Sequence, residues 1–273
     1  MKYGILGLVA AATWYGVSPT PHHVTATAGG TQQGEEWSWS GRVAAGKTLE
    51  IRGINGDIRV TAAKGDEAVV HATKRTKKGD VSSVRVKVEE HTGGVTICAI
   101  YPGGSGDDCA SGNKGRKGRS DDDDRGDDVV VDFTVEVPAK VRFEGGTVNG
   151  GIDAQGLRAD AEVSTVNGAI VLATTGVGSA STVNGSVRLR IGSAAWDGRL
   201  EARTVNGSVT VEMPQPTDLD VEASTLNGSI SSDFPLTLQG KMSPQRIKGT
   251  IGKGGRQLRL ETVNGDVQLR RAA

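Results

Sequence analysis

The stretch STVNGAIVLATTGVGSASTVNG, residues 164–185, begins and ends with the same five residues. Its core phrase recurs as Thr147-Val148-Asn149-Gly150, Thr165-Val166-Asn167-Gly168, Thr182-Val183-Asn184-Gly185 and Thr204-Val205-Asn206-Gly207. Thr225-Leu226-Asn227-Gly228 and Thr262-Val263-Asn264-Gly265 continue the series, and Ile54-Asn55-Gly56 is an outlying copy. Of the eight asparagines in the chain, seven precede a glycine; only Asn113 does not. Asn-Gly tolerates positive φ, which a tight turn or a sharp corner between strands demands. The seven pairs are therefore expected to be structural turns.

The flanks alternate. Ala161, Val163 and Thr165 precede one turn, and Leu200, Ala202 and Thr204 precede another; Ile170 and Leu172, or Val209 and Val211, follow. From the inward threonine to the next inward aliphatic is always five residues, as from Thr165 to Ile170 and from Thr204 to Val209. Five is odd, and a straight strand of period two cannot keep both on one face. Each unit must be strand, corner, strand. The threonines lie 18, 17, 22, 21 and 37 residues apart, and the last gap divides if RIKGTIG, residues 246–252, is a degenerate copy.

A recurring unit of this size means stacked supersecondary units that cannot bury their apolar faces alone. Two all-β arrangements fit: hairpins in an antiparallel sandwich, or coils of a parallel β-solenoid with the Asn-Gly corners in a column. Recurrence of the same four residues favours the solenoid, because stacked corners share one environment.

LEIRGINGDIRVTA, FTVEVPAKVRFEGGTVNGGI and VEMPQPTDLDVEASTLNGSISSDFPL, starting at Leu49, Phe133 and Val211, resemble the bacterial putative-adhesin family of exported β-repeat proteins. The shared phrase is T-x-N-G-x-I, and the resemblance covers roughly residues 36–271. It implies a single-stranded right-handed parallel β-helix, matching the handedness of parallel crossovers. It implies no particular biochemical activity.

The first 28 residues read as a secretory signal: Lys2, an apolar run from Ile5 to Val17, and an A-x-A site at Ala26-Thr27-Ala28. That run is shorter than the ~18 residues of a membrane span. The expected layout is a signal peptide at 1–28 and one solenoid domain at 29–273, located in the periplasm or outside the cell. An uncleaved N-terminal anchor is the alternative. Export makes Cys98 and Cys109, the only cysteines, a candidate disulfide rather than two free thiols. Zinc would need further ligands at suitable spacing, and none is visible.

Residues 102–128 break the strand rhythm with a basic block, NKGRKGRS, and then DDDDRGDD. This charged insertion reads as an exposed flexible loop. Asp121, Asp122, Asp123 and Asp124 are weak calcium ligands at best, because they lack the alternation and fixed glycine of an EF-hand loop. Arg125-Gly126-Asp127 is a tripeptide that such a loop produces by composition alone.

Catalytic signals are sparse. Only His71 and His91 lie beyond the signal and the segment before it ends, neither beside a nucleophile motif, and no phosphate-binding loop appears. With a formal charge of zero, no global field attracts nucleic acid. One constellation has chemistry to offer. Glu144, Glu162, Ser179, Glu201 and Glu222 stand three residues before successive threonines and point outward. At ~4.8 Å between coils, Glu144/Glu162 and Glu201/Glu222 would form carboxylate pairs of the kind that retaining glycosidases use. A solvated face needs only such charge, and Arg142, Arg188, Arg190 and Arg203 lie nearby to offset it; sugar-stacking tryptophans are limited to Trp37, Trp39 and Trp196.

The sequence thus predicts an exported, non-enzymatic β-solenoid with no cofactor, binding an envelope polymer or protein. Two alternatives remain: a polysaccharide lyase or hydrolase with an acidic face, and a structural protein that self-associates through open coil edges.

Overall fold

The computed structural model describes residues 25–27, 33–77, 79–102, 108–109, 128–192, 196, 198–239 and 243–272. Two facing sheets form the molecule, and most strand pairs within them are parallel. The charged insertion, with Asp121 to Asp124, lies outside the described residues except at its two ends, as do most of residues 1–28, the expected signal peptide.

The chain enters through β1 (Thr25–Thr27) and β2 (Gln33–Gly41), then makes a first coil from β3 (Thr48–Arg52) and β4 (Ile58–Ala62). Next come β5 (Ala68–Thr76), a 3-10 turn (Val81–Ser83), β6 (Arg85–His91), β7 (Gly94–Ile100) and β8 (Val130–Val137). Four coils follow in order: β9 (Arg142–Gly146) with β10 (Ile152–Leu157), β11 (Ala161–Ser164) with β12 (Ile170–Thr174), β13 (Gly178–Ser181) with β14 (Val187–Ile191), and β15 (Arg199–Arg203) with β16 (Val209–Met213). The end is built from β17 (Leu219–Ser224), β18 (Ile230–Ser232), β19 (Thr237–Leu238), β20 (Arg246–Ile251), β21 (Arg256–Glu261) and β22 (Val267–Arg271).

Sheet A runs β1-β2-β5-β8-β4-β10-β12-β14-β16-β22-β18, and sheet B runs β19-β20-β17-β21-β15-β13-β11-β9-β3-β7-β6. Each T-x-N-G corner carries the chain from sheet B to sheet A. The asparagines meet in parallel register, Asn149 against Asn167 and Asn167 against Asn184, which a hairpin meander would not do. The architecture is therefore the stacked solenoid, not the sandwich of hairpins.

Alternation delivers the core. Ile58, Ile152, Ile170, Val187, Val209 and Val267 form one inward column of sheet A, in register and almost fully buried. Leu49, Phe143, Ala161, Leu200 and Leu258 face them from sheet B. Burying such aliphatics stabilises the fold by about 1.5–3 kcal/mol each.

Three features of the corner account for its four residues. The threonine is buried and donates its hydroxyl to the glycine carbonyl of the adjoining coil, as Thr165 Oγ1 to Gly150 O at 2.9 Å and Thr204 Oγ1 to Gly185 O at 2.7 Å. The asparagine donates Nδ2 to the Oδ1 of its neighbour at 2.7–2.8 Å, forming an unbroken ladder from Asn55 to Asn227. At the glycine, a Cβ would fall 2.0–2.1 Å from a backbone carbonyl oxygen of the adjoining coil at all seven corners. Positive φ also applies at Gly56, Gly185, Gly207 and Gly265. Close stacking, more than turn geometry, is what all seven glycines share.

Coil order in space departs from coil order in sequence at both ends. The strands β3 and β4 lie between β7/β8 and β9/β10. The last coil, β21/β22, is intercalated between β15/β16 and β17/β18. Residues 246–252 are not a degenerate coil: β20 pairs antiparallel with β17 and closes sheet B, with β19 beyond it. Gly249 is there because a Cβ would sit 3.0 Å from Thr237 O. At the other end β5 extends sheet A antiparallel to β8 and β2 pairs antiparallel with β5, while β6 closes sheet B antiparallel to β7. Antiparallel strands thus border sheet B at both ends and sheet A at the β1 end, whereas sheet A ends on β18, which pairs parallel with β22.

Candidate binding face

Strand alternation points every second residue of sheet B outward, and parallel register stacks them. One outward column reads Thr96, Glu50, Glu144, Glu162, Ser179, Glu201, Arg259, Glu222 and Lys248. Glu144 and Glu162 are adjacent, and Glu50, which the repeat pattern did not single out, extends them to three rungs. Glu201 and Glu222 are not adjacent. Arg259 stands between them, because β21 is intercalated, so the second expected carboxylate pair does not exist.

The two halves of the column differ electrostatically. Toward β21, charges cancel: Arg259 reaches Glu261 at 2.5 Å and Glu201 at 3.7 Å, while Arg203 pairs with Glu201 and lies 3.3 Å from Glu261. The Glu261 hydrogen bond, then its charge, raises the Arg259 guanidinium above its ordinary value. Toward β3, Glu144 and Glu162 make no side-chain ion pair among the described residues. They border a hollow of about 340 Å³ that Glu50, Arg52, Gly146 and Ser164 also line. A second hollow of about 180 Å³ shares both carboxylates and adds Arg142, Asp160 and Ser179. Small residues at Gly145, Gly146, Ser164 and Ser179 make the floor of this open polar trough.

The head of the trough is fixed by a network. Glu50 accepts from Arg52 Nε at 2.5 Å and from Thr96 Oγ1 at 2.8 Å, and His91 Nε2 meets Thr96 Oγ1 at 3.0 Å. Arg52 Nη1 donates to Cys109 O at 2.9 Å. Cys109 is bonded to Cys98, which is in register with Arg52. The Cys109 amide donates to Glu89 Oε1 at 3.0 Å; hydrogen bonding from Lys87, then from that amide, holds the Glu89 carboxyl below the usual carboxylate range. The disulfide thus anchors one end of the charged insertion beside the trough.

The other candidates disperse. His71 is exposed on sheet A opposite Thr134, on a different sheet from His91. Trp37 is a core residue and Trp39 packs against it, while Trp196 is buried under Arg256, 5.6 Å from its ring centre. Among the described residues no group of three or more His, Cys, Asp or Glu is arranged to hold a metal ion, and no helix is long and apolar enough to cross a membrane. The pair of buried Lys74 with part-buried Glu35, at 2.9 Å, carried no sequence signal because its partners sit on strands that pair only in three dimensions.

The model of the Toastrack DUF4097 family matches residues 38–270, and the chain belongs to that family. No curated protein matches the sequence. Among solved structures, a putative cell adhesion protein from Clostridium sporogenes ATCC 15579 is similar at a TM-score of 0.52 and 12% identity, covering 88% of this chain and 100% of its own. A putative adhesin from Bacteroides fragilis NCTC 9343 aligns at a TM-score of 0.34 and 12% identity, covering 87% of this chain and 97% of its own. The first of these likenesses extends to the fold.

Proposed function

We propose that this chain is an exported, non-enzymatic binding or scaffold protein of the cell envelope, adhesin-like in that its outer face engages an envelope polymer or protein. The observation that supports this is the trough on sheet B: extended, shallow, polar, floored by small residues, and carrying two carboxylates that make no side-chain ion pair among the described residues. Such a surface suits a chain laid across the strands, bearing hydroxyl and cationic groups that Glu144 and Glu162 can accept from. Catalysis finds less support, since His71 lies on the other sheet, His91 reaches Glu50 only through the Thr96 hydroxyl, and an open hollow does not exclude water. Export is supported by the Cys98–Cys109 bond and by the signal-like residues 1–28, with residues 29–273 as the mature solenoid domain.

The test is co-sedimentation of residues 29–273 with purified peptidoglycan and envelope glycans, beside the Glu144→Gln/Glu162→Gln double variant. Saturable retention that the double variant weakens about tenfold is the expected result. Wild-type protein left wholly in the supernatant overturns the reading.

A further inference from the structure

The second residue of each of the six T-x-N-G corners is exposed, while Ile54, its counterpart in the seventh corner, is partly buried. Among the described residues, Val148, Val166, Val183, Val205, Val263 and Leu226 are the exposed large apolar residues apart from Leu238, and all six belong to one row. Their spatial order follows the asparagine ladder: Ile54, Val148, Val166, Val183, Val205, Val263, Leu226. Seven rungs at ~4.8 Å make a straight strip ~29 Å long. Beside it runs the ladder itself, whose asparagines are exposed from Asn149 onward. The five interior amides, Asn149, Asn167, Asn184, Asn206 and Asn264, each use one N–H and one lone pair on their neighbours, so each keeps a second N–H and a second lone pair for another partner.

The strip is also free of charge. In the central rungs the corners are flanked by Gly146, Ser164 and Ser181 on one side and by Gly151, Ala169, Ser186 and Ser208 on the other. Charged flanks occur only toward the ends, at Arg52 and Asp57 and again at Arg203, Glu261 and Asp266. On the two sheet faces, by contrast, charged residues occupy many rungs. The six apolar side chains expose on the order of 400 Å², the size of the largest apolar patch on a typical monomer, which often serves a function.

We propose that this edge is where a second copy of the chain docks, antiparallel about a two-fold axis at Val183. Three observations select that occupant. A row with one repeat spacing meshes with an inverted copy of itself, and the seven rungs place Val183 at the centre. The ends are complementary in shape: Leu226 is 68% exposed, whereas Ile54 is partly buried against the core, so inversion sets a projecting side chain over a recessed one. Finally, the neutral flanks bring no like charges together along the middle of the contact. With the asparagine amides and flanking residues included, each copy buries roughly 500 Å², the size of a weak, concentration-dependent dimer rather than an obligate one. This proposal concerns a different surface from the trough and stands independently of it.

Sedimentation velocity on residues 29–273 between ~5 and ~500 µM tests it. The expected result is a rise toward dimer mass that Val183→Lys abolishes, with the variant's melting temperature unchanged because Val183 is a surface residue. Val183→Cys should form a disulfide-linked dimer on oxidation. Leu226→Cys should cross-link to Ile54→Cys when the two are mixed and to neither alone. A monomer at every concentration, a dimer that survives Val183→Lys, or cross-linking of Leu226→Cys to itself overturns the proposal. So does a monomer whose Val183→Lys variant loses retention on envelope material, since the strip would then serve a different partner.

Discussion

Asn227 donates its side-chain amide to Asn264 at 2.7 Å, and Asn264 donates onward to Asn206 at the same distance, although Asn264 is the last corner in sequence. The ladder keeps one donor direction from end to end, so each amide polarises the next. The backbone follows the same order, with Gly265 N donating to Asn227 O and Gly207 N to Asn264 O, each at 2.9 Å. Corner identity and stacking order are thus separate pieces of information, and several expectations rest on that separation.

Within one corner the glycine should matter most. Gly207→Ala would put a Cβ 2.1 Å from Gly185 O, at a φ of 155° that alanine avoids, and neither backbone can yield without opening the coil. A cost above about 3 kcal/mol is expected. Asn206→Ala removes two exposed amide links and should cost only about 1 kcal/mol, since water replaces part of each. Urea denaturation of both variants decides this; equal losses would mean that the ladder, not the close approach, holds the coils.

The intercalated coil predicts an unusual truncation. Ending the chain before Gly254 removes β21 and β22, which in space is an interior coil. The strands β17 and β18 then lose the surfaces that Leu258, Leu260, Val267 and Leu269 provide. Hydrogen exchange should show the Leu219–Ser224 amides unprotected in the shortened protein, while Ala161–Ser164 stay protected. Protection surviving throughout Leu219–Ser224 would show that β17 is held by its antiparallel pairing with β20, or by direct packing on β15, without the intercalated coil.

The odd spacing from each threonine to the next inward aliphatic was enough to require a corner, and the identical residues at each corner pointed to stacking. The column from Glu144 to Glu162 followed, because those coils are consecutive in both sequence and space. Glu201 and Glu222 misled for the opposite reason. Thr262-Val263-Asn264-Gly265 has the same local pattern as its neighbours, and nothing in it specifies which coils it will separate. Gly249 misled because a glycine needed for the approach of Thr237 reads like a corner glycine. Glu50 escaped notice since β3 joins β9 across a long stretch of intervening chain, which local periodicity does not register.

The disulfide should act as a clamp on the trough's head. Replacing Cys98 and Cys109 by serine, or reducing them, frees a loop of 11 residues' separation and should cost about 2–3 kcal/mol. Arg52 would also lose its fixed acceptor at Cys109 O. A dithiothreitol-dependent drop in the denaturation midpoint, absent from the double-serine variant, is the expected readout. An unchanged midpoint would show that the Glu89 and Arg52 contacts hold Cys109 by themselves.

The outermost coil should loosen in acid through Asp266. Its Oδ1 accepts from Ser229 N and from Ser229 Oγ, both at 2.9 Å, tying β18's approach to the intercalated coil. The backbone hydrogen bond first, then the hydroxyl, holds the Asp266 carboxyl below its ordinary value of 3.8. A carboxyl depressed on folding contributes stability that is fully present above its unfolded value and is lost as pH falls through the folded one. Asp266→Ala should therefore melt below wild type at pH 7, with the gap closing as the pH is lowered below 3.8. Other carboxylates titrate in the same range, so the quantity to follow is the difference between the two proteins rather than either melting curve. A gap that persists unchanged into strong acid would mean that Asp266 acts by packing and not by its charge.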